Sequence, residues 1–140
     1  MINQNLYFEI ELTARRIRQY GQSILDAQNA GITVEQWLVL KVISENEGIN
    51  QLRIGEILLK DKPTISRMVK TLFTKNLIHK QPSETDLREF SIELTEHGRQ
   101  WLERIMPIIE SVRLKGIENL SDNEKSNTSE VLAKIRKNLA

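Results

Sequence analysis

Apolar residues along this chain recur mostly at steps of three and four, the spacing of one helix face, which predicts a mainly α-helical fold. The first segment, roughly residues 4–28, follows this spacing until the sequence "AGIT" breaks it. A second helix is predicted through about Glu45, and a shorter third one over 50–59. The remaining predicted helices are 61–77, a long one from Thr95 and a last one from Ser121.

The predicted helices begin at residues whose side chains can accept hydrogen bonds from free backbone N–H groups. Thr33 with Gln36, and Ser121 with Glu124, have the spacing of a capping box. Pro107 lies inside the long fifth helix and predicts a kink, because proline lacks a backbone donor and crowds the preceding turn. The predicted caps of the third and fourth helices are Asn50 and Asp61.

Between the fourth and fifth helices the spacing changes to the alternation that is typical of β-strands. In the run "FSIEL", Phe90, Ile92 and Leu94 alternate with Ser91 and Glu93. The earlier run "LIHKQ" is also extended in character, and the turn-forming sequence "PSETD" separates the two. This stretch therefore predicts a two-stranded β-hairpin.

The two terminal helices each carry an apolar stripe that a chain of 140 residues has little else to cover. In the last helix the stripe consists of Val131, Leu132, Ile135 and Leu139. Either these helices pack only on their own chain, or they pair with a second copy. We favour pairing, since long helices with apolar stripes suit a two-fold symmetric interface.

The composition is that of one compact domain with a core. Apolar residues make up 39% and charged residues 28% of the chain, both ordinary for a soluble globular protein. No apolar run reaches the roughly 20 residues of a membrane span, and the start does not resemble a secretory signal. The chain contains no cysteine, which excludes disulfides and thiolate metal sites and fits a cytoplasmic location.

Charge is segregated along the chain although the net charge is only +1. Residues 53–80 contain seven basic and two acidic residues, so this segment carries +5 and the remainder −4. A basic patch of this kind can hold a polyanion while the remaining surface repels it. Charge alone does not separate this interpretation from that of a lysine-rich helix face exposed to water.

The segment 50–94 has the order of a winged helix-turn-helix: a short helix, a tight turn at 60–61, a basic helix and a hairpin. A helix fits the major groove of DNA only if a core holds one face while the other meets bases and phosphates. The opposite face of the basic helix is small or basic, which leaves room for close approach. Its predicted core-facing residues are Ile65, Met68, Val69, Leu72 and Phe73.

Each residue on that opposite face has a candidate role in binding DNA. Arg67, in the middle, is the best candidate for a bidentate contact with guanine. Lys70 and Thr74 lie farther along and are predicted to contact phosphate, whereas Thr71 suits either partner. Phosphate binding near the helix N-terminus, where free amides and the helix dipole attract anions, is predicted for Lys62, Thr64 and Ser66.

Three stretches of the sequence together resemble the MarR family of winged helix-turn-helix transcriptional regulators. "TVEQWLVL" at 33–40 is similar to the family's second helix, and "PTISRMVKTLFTKNLI" at 63–78 to its recognition helix. "DLREFSIELTEHG" at 86–98 is similar to the D-x-R wing followed by L-T-x-x-G, and this spacing is the most discriminating element. The resemblance covers essentially the whole chain, including long terminal helices of the kind that pair in family dimers.

The resemblance implies one domain, 1–140, with a DNA-binding lobe at 33–98 and dimerisation helices at 1–30 and 99–140. It implies a homodimer that binds an imperfect palindrome in double-stranded DNA, since two recognition helices would read half-sites about one helical turn apart. It also implies repression of transcription, relieved by a small aromatic or anionic effector between the two lobes. No cofactor is expected, and nothing in the sequence identifies the effector.

The wing is expected to add a contact of its own. In the family the wing-tip arginine enters the minor groove and the aspartate two residues earlier orients it; here these are Arg88 and Asp86. Arginine suits narrow, A·T-rich minor grooves because of their negative potential, although outside a hairpin such a pair would be a minor surface ion pair. Glu84 and Glu89 flank the motif and Lys80 stands where arginine is frequent, so the wing contact is expected to be modest.

Other kinds of function find little support in the sequence. It has no P-loop, dinucleotide-binding or nucleophile-elbow motif, so no enzyme activity is expected. His79 and His97 are too few to suggest a metal site, and Trp37 and Trp101 are expected in the core or an interface, with an effector pocket as the alternative for one of them. A helical protein-interaction module without DNA binding remains the second hypothesis. It would explain the terminal helices but not the charge segregation or the D-x-R hairpin.

Overall fold

The computed structural model describes residues 5–83 and 89–140. Within these residues the chain forms six α-helices and one two-stranded antiparallel sheet, which confirms the mainly α architecture with a small β wing. In chain order the elements are α1 (Leu6–Ala27), α2 (Val34–Glu45), α3 (Gln51–Leu58), α4 (Lys62–Thr74), β1 (Ile78–Pro82), β2 (Phe90–Leu94), α5 (Glu96–Gly116) and α6 (Asp122–Asn138).

Helices α2 to α6 begin at the caps that the sequence predicts. The Gln36 N–H donates to the Thr33 hydroxyl at 3.1 Å, and the Thr33 N–H donates to the Gln36 side chain at 3.1 Å. Ser121 and Glu124 form the same reciprocal box at the start of α6. Helix α5 continues through Pro107, and the kink at this proline stays a prediction. The remaining predicted starts are also confirmed, with Asn50, Asp61 and Thr95 capping α3, α4 and α5.

A tight turn joins α3 to α4. Leu59 adopts a left-handed backbone conformation there, with φ of 53°, and its side chain is 79% exposed. The Lys60 N–H donates to the Gly55 carbonyl at 3.0 Å, which closes the end of α3. Because a leucine is strained in this conformation, we infer that the packing of the two helices imposes the turn.

The start of α5 lies directly against the residues that precede β1. The Thr95 N–H donates to the Leu77 carbonyl at 3.1 Å, and the Thr95 hydroxyl donates to the Asn76 carbonyl at 2.7 Å. Gly98 packs so closely on this segment that a Cβ atom at its position would overlap the Leu77 carbonyl oxygen. The glycine of the L-T-x-x-G sequence is therefore required by packing.

The core is built around α2, whose Val39, Leu40 and Ile43 are fully buried. Helices α1, α3, α4 and α5 and strand β2 all contact α2. Trp37 and Trp101 are buried in this core, as predicted. No polar or charged residue is buried within residues 5–83 and 89–140, so apolar burial, worth roughly 25 cal/mol per Å², is the main stabilising contribution.

The two strands form an antiparallel ladder that begins with Ile78 opposite Leu94. Ile49, which precedes α3, adds a bridge on the other side of β2, where the Ile92 N–H donates to the Ile49 carbonyl at 2.8 Å. Ile92 and Leu94 are buried, but Phe90, which shares their alternation in the sequence, is 51% exposed. The ladder becomes more exposed toward the wing tip, because the hairpin there extends beyond the core.

The terminal helices leave large apolar side chains in contact with water. Ile17 of α1 is 59% exposed and Leu139 of α6 is 71% exposed. No residue of α6 is buried, and a groove between α1 and α6 is lined by Tyr7, Ile10 and Ile135. Among the described residues of a single copy, these stripes therefore have no partner that covers them. None of the described helices is long and apolar enough to cross a membrane.

Candidate nucleic-acid interface

Helix α4 is held in the molecule by one apolar face. Ile65, Val69 and Leu72 are buried on this face, and Met68 is half-buried against the core. The prediction that Phe73 joins them is wrong, because its ring is 53% exposed. Phe73 lies at the edge of the apolar stripe, near the end of the helix, where the core no longer covers it. The outward surface of α4 therefore includes an aromatic ring that the sequence analysis assigned to the core.

The predicted DNA-binding residues of α4 all lie off its buried face. The positions alternate with the buried ones at helical spacing, so they share one outward side of the helix. This side is open to solvent over most of its length and is free of bulky aliphatic side chains. Its exposed members are Lys62, Ser66, Arg67, Lys70 and Thr74, and its half-buried members are Thr64 and Thr71.

The positive charges of residues 53–80 divide into two groups. Arg53, Lys60 and Lys75 contact their own chain: Arg53 pairs with Glu56 at 3.0 Å, Lys60 pairs with Glu35 at 3.5 Å, and Lys75 donates to a backbone carbonyl. Lys75 keeps its positive charge, because a backbone carbonyl does not neutralise an ammonium. In the described part of the chain, the other four cations also have no carboxylate within ion-pair distance, so their charge too is available to an external anion. These four cations are Lys62, Arg67, Lys70 and Lys80.

Asp61 caps the start of α4, where its Oδ1 accepts a hydrogen bond from the Thr64 N–H at 2.8 Å. Hydrogen bonds from the Thr64 hydroxyl and N–H lower the pKa of Asp61 below its ordinary value of 3.8, and the charges of Arg67 and Lys60 lower it further. The carboxylate is thus ionised at neutral pH, as a favourable charge at a helix N-terminus should be. Pro63 has no N–H to satisfy in this first turn, so the helix start is well formed without a ligand.

We expect Asp61→Ala to lower the melting temperature clearly at pH 7 and by a smaller amount at a pH below 3.8, the ordinary pKa of this carboxyl. A carboxylate with a lowered pKa stabilises the folded state above its ordinary pKa, and this contribution is lost as the pH falls through the folded-state pKa. Thermal unfolding followed by circular dichroism at both pH values measures the difference. Asp61→Asn, which keeps a capping oxygen, is the control and should approach the parent at low pH. A difference that does not change with pH would contradict this account.

The two threonines near the end of α4 use their hydroxyl hydrogens within the helix. Thr71 Oγ1 donates to the Arg67 carbonyl at 3.1 Å, and Thr74 Oγ1 donates to the Lys70 carbonyl at 2.9 Å. In these rotamers the hydroxyls can accept but cannot donate to a phosphate. The Arg67 guanidinium donates weakly to the Thr64 hydroxyl at 3.4 Å, so nearly all of its donors stay free. Arg67 is therefore the best-equipped group on this face for a bidentate base contact.

The wing follows directly on α4. The Lys80 ammonium lies 5.7 Å from the centre of the Phe73 ring, a cation–π contact that joins β1 to the end of α4. His79 faces Glu93 across the ladder at 3.6 Å, as expected for a strand residue. Asp86 and Arg88, the predicted wing residues, lie outside the described residues.

One contact at the base of the wing has no signal in the sequence. The Asn50 Nδ2 donates to Glu89 Oε2 at 3.0 Å, joining the start of α3 to the residue before β2. From the sequence alone, Glu89 is only a negative charge that weakens phosphate binding. No periodic pattern signals a single pair of side chains 39 positions apart in the sequence, so only the fold reveals it.

The described part of the chain contains no cluster of residues that could hold a metal ion. No group of three or more histidine, aspartate or glutamate residues converges there. His97 is exposed in the first turn of α5.

Within residues 5–83 and 89–140, Trp37 Nε1 is the one buried side-chain nitrogen or oxygen without a hydrogen-bond partner. The Arg113 guanidinium lies 5.3 Å from the centre of the Trp37 ring.

Comparison with known proteins identifies the family of this arrangement. The model of the MarR family matches residues 32–90. The organic hydroperoxide resistance transcriptional regulator of Bacillus subtilis (strain 168) is 31% identical over 107 residues, which cover 76% of this chain and 71% of that protein. These relatives are regulators of transcription and not enzymes.

Solved structures with the same fold extend the match over nearly the whole chain. A MarR/EmrR family transcriptional regulator from Acinetobacter sp. ADP1 superposes with a TM-score of 0.90 at 25% identity, covering 99% of this chain and 97% of that one. The S. aureus MepR–DNA complex has the same fold, with a TM-score of 0.84 at 23% identity over 96% of this chain and 98% of that one. The chain belongs to the MarR family of transcriptional regulators.

Proposed function

We propose that this protein is a dimeric, sequence-specific DNA-binding transcription regulator that acts in the cytoplasm. The outward face of α4 carries the proposal, because Lys62, Arg67 and Lys70 have no carboxylate partner among the described residues while the opposite face is buried in the core. A helix held in this way can lie in the major groove. The fold shared with MepR, which has been solved in a complex with DNA, supports the same function.

The residues divide by role along α4 and the wing. Arg67 would read a guanine, since a free guanidinium can donate two parallel hydrogen bonds to O6 and N7. Thr71 lies close enough to the same side to contact either a base or a phosphate. Arg88 would enter the minor groove, with Asp86 orienting it. Phosphate contacts, which set the register on the duplex without reading sequence, are assigned to Lys62, Thr64, Ser66, Lys70 and Thr74. For Thr74, and for Thr71 if it contacts phosphate, the side chain must change rotamer so that its hydroxyl leaves the helix carbonyl and can donate to the phosphate.

Dimerisation would bring two such faces together. We assign residues 33–98 to the DNA-binding lobe and residues 1–30 and 99–140 to dimerisation, because the exposed apolar stripes of α1 and α6 have no cover within one chain. A two-fold axis between the copies presents two α4 helices on one side of the dimer. The operator is then an imperfect palindrome with half-sites about one helical turn apart.

Repression released by a small effector completes the proposal. Trp37 on α2 and Arg113 on α5 meet at the boundary of the two lobes, and the Trp37 N–H is buried without a partner in the described ranges. To accept a hydrogen bond from the buried indole, a small aromatic or anionic molecule would first have to separate α2 from α5, and to pair with Arg113 it would compete with Glu110. To release DNA, it would have to bind more tightly to a dimer whose half-site spacing does not fit the operator.

A gel-shift titration on mixed genomic DNA tests the proposed function. A regulator should shift DNA at low salt, and its affinity should fall steeply with salt because several phosphate contacts release counterions. Selection of bound sequences from a random DNA pool should then yield an imperfect palindrome. No shift at low salt with micromolar protein would overturn the proposal and favour the helical protein-interaction module.

We expect Arg88→Ala to weaken binding to the selected operator while leaving the base preference of the major groove nearly unchanged. An arginine in the minor groove responds mainly to groove width and negative potential, and so contributes affinity more than base selectivity. Fluorescence anisotropy with the operator and with single-base variants measures both quantities. Equal affinity of Arg88→Ala and the parent would show that the wing arginine does not contact DNA.

A further inference from the structure

Asn50 makes two hydrogen bonds with opposite ends of its amide. Its Oδ1 caps α3 by accepting from the Arg53 N–H at 2.8 Å, and its Nδ2 donates to Glu89 Oε2 at 3.0 Å. Both Asn50 and Glu89 are half-buried, which shields this bond from part of the solvent. The Glu89 carboxylate also lies at the N-terminal end of α3, where the helix dipole favours a negative charge.

Glu89 lies at the described end of the hairpin, directly before β2. It follows Arg88 directly in the chain and precedes Phe90, the first residue of β2. Its carbonyl accepts a hydrogen bond from the Ser83 N–H at 3.0 Å, so the same residue closes the described end of the ladder. Glu89 therefore belongs to the base of the wing through its backbone and to α3 through its side chain.

The attachment to α3 complements a backbone contact nearer the core. The Gly48 N–H donates to the Ile92 carbonyl at 3.0 Å, and the Ile92 N–H donates to the Ile49 carbonyl at 2.8 Å. These bonds fix the inner part of β2 against the residues before α3. The Asn50–Glu89 bond is the next contact outward along β2, at the point where the strand leaves the core.

We propose that the Asn50–Glu89 hydrogen bond is a positioning contact that sets the direction of the wing relative to α3 and α4. Glu89 thereby increases DNA affinity by holding the base of the wing, next to Arg88 in the chain, although its own charge is repelled by phosphate. The inference rests on the proposed function, because it requires that the wing arginine contacts DNA. In this proposal Glu89 raises the affinity for DNA, whereas the sequence alone suggests that its charge lowers it.

Two substitutions of Glu89 separate the charge from the hydrogen bond. Glu89→Gln removes the negative charge but keeps an oxygen that can accept from the Asn50 amide. Glu89→Ala removes the same charge together with the acceptor. If Glu89 acts only by repulsion, both variants should bind DNA equally and more tightly than the parent. If it positions the wing, the two variants should differ.

The experiment measures operator affinity by fluorescence anisotropy for the full-length parent and both variants, each with Arg88 and with Arg88→Ala. We expect Glu89→Gln to bind at least as tightly as the parent and Glu89→Ala to bind about fivefold more weakly than Glu89→Gln, the effect of losing one hydrogen bond between uncharged groups. With Arg88→Ala, the two Glu89 variants should bind alike, because nothing remains for the contact to position.

A second pair of variants tests the same hydrogen bond without Glu89→Ala, whose stability could differ from that of the parent. This pair is Asn50→Asp alone and Asn50→Asp combined with Glu89→Gln. Asn50→Asp retains the cap of α3 but sets two carboxylates against each other, so binding should weaken. Adding Glu89→Gln should restore it, since the glutamine amide can donate to the introduced carboxylate. Melting temperatures of all variants identify any that fold poorly.

Specific results would overturn the proposal. Equal affinity of Glu89→Gln and Glu89→Ala, or a difference that persists with Arg88→Ala, would exclude positioning through Arg88. Failure of Glu89→Gln to restore Asn50→Asp would exclude the hydrogen bond as the cause. Absence of any DNA binding by the parent would instead overturn the proposed function, so the two failures are distinguishable.

Discussion

Gly98→Ala is expected to lower the free energy of unfolding by about 3 kcal/mol, at the upper end for overpacking in a closely packed site. A methyl group at this position would overlap the Leu77 carbonyl oxygen, which is backbone and cannot turn aside as a side chain would. Relief requires α5 to move away from the residues before β1. That movement would lengthen the hydrogen bonds that Thr95 makes to Leu77 and Asn76.

Gly116→Ala in the same helix is the matched control. No atom lies within 4 Å of a Cβ added at Gly116, so alanine there should stabilise the helix by about 0.5–1 kcal/mol through its higher helix propensity. Urea unfolding of both variants and the parent gives the two free energies. If Gly98→Ala proved as stable as the parent, the close approach of α5 to Leu77 would be wrong.

Arg67→Ala is expected to weaken binding to the selected operator by about 1–3 kcal/mol and to relax the preference at one base pair in each half-site. The guanidinium lies on the exposed face of α4 and has no carboxylate partner in the described ranges. Alanine therefore removes a potential base contact without freeing a buried charge. The stability of the folded protein should change little, because exposed substitutions of this kind fall within about 0.5 kcal/mol.

Arg104→Ala is the control for Arg67→Ala, since it removes the same charge from an exposed position on α5. Anisotropy titrations with the operator and its single-base variants give both the affinity and the base preference. We expect Arg104→Ala to bind nearly as the parent does at physiological salt. Unchanged affinity and base preference in Arg67→Ala would remove Arg67 from the interface even though the fold is correct.

Local chemistry made much of this fold predictable. Capping residues determine where a helix can begin, and the pairs Thr33–Gln36 and Ser121–Glu124 form the reciprocal boxes that their spacing predicts. Apolar periodicity likewise identified the buried face of α4 through Ile65 and Leu72. These features depend on residues within one or two turns of each other, so the sequence carries the whole signal.

The extent of the core could not be predicted in the same way. Phe73 and Phe90 match the periodicity of their helix and strand, yet both are more than half exposed because the core ends before it reaches them. The left-handed conformation of Leu59 is also without a local signal, since glycine or asparagine is the usual residue at such a position. Each of these outcomes depends on how distant elements pack.

In the candidate site, too, some features follow from the local sequence and others depend on tertiary packing. Helical spacing identified the outward face of α4, and the chemistry of its side chains indicated a polyanion. Which cations lack a carboxylate partner depends partly on tertiary contacts, as when Lys60 pairs with Glu35. Counting charges along residues 53–80 therefore overstates the positive charge that the folded chain offers to a polyanion.

Because the apolar stripes of α1 and α6 are exposed in a single protomer, we expect the stability of the fold to depend on protein concentration. A lone protomer keeps Ile17 and Leu139 in water, whereas association buries such side chains and adds their transfer free energy to that of the fold. In the proposed dimer, dilution therefore lowers the stability of the fold, because a dissociated protomer lacks this contribution.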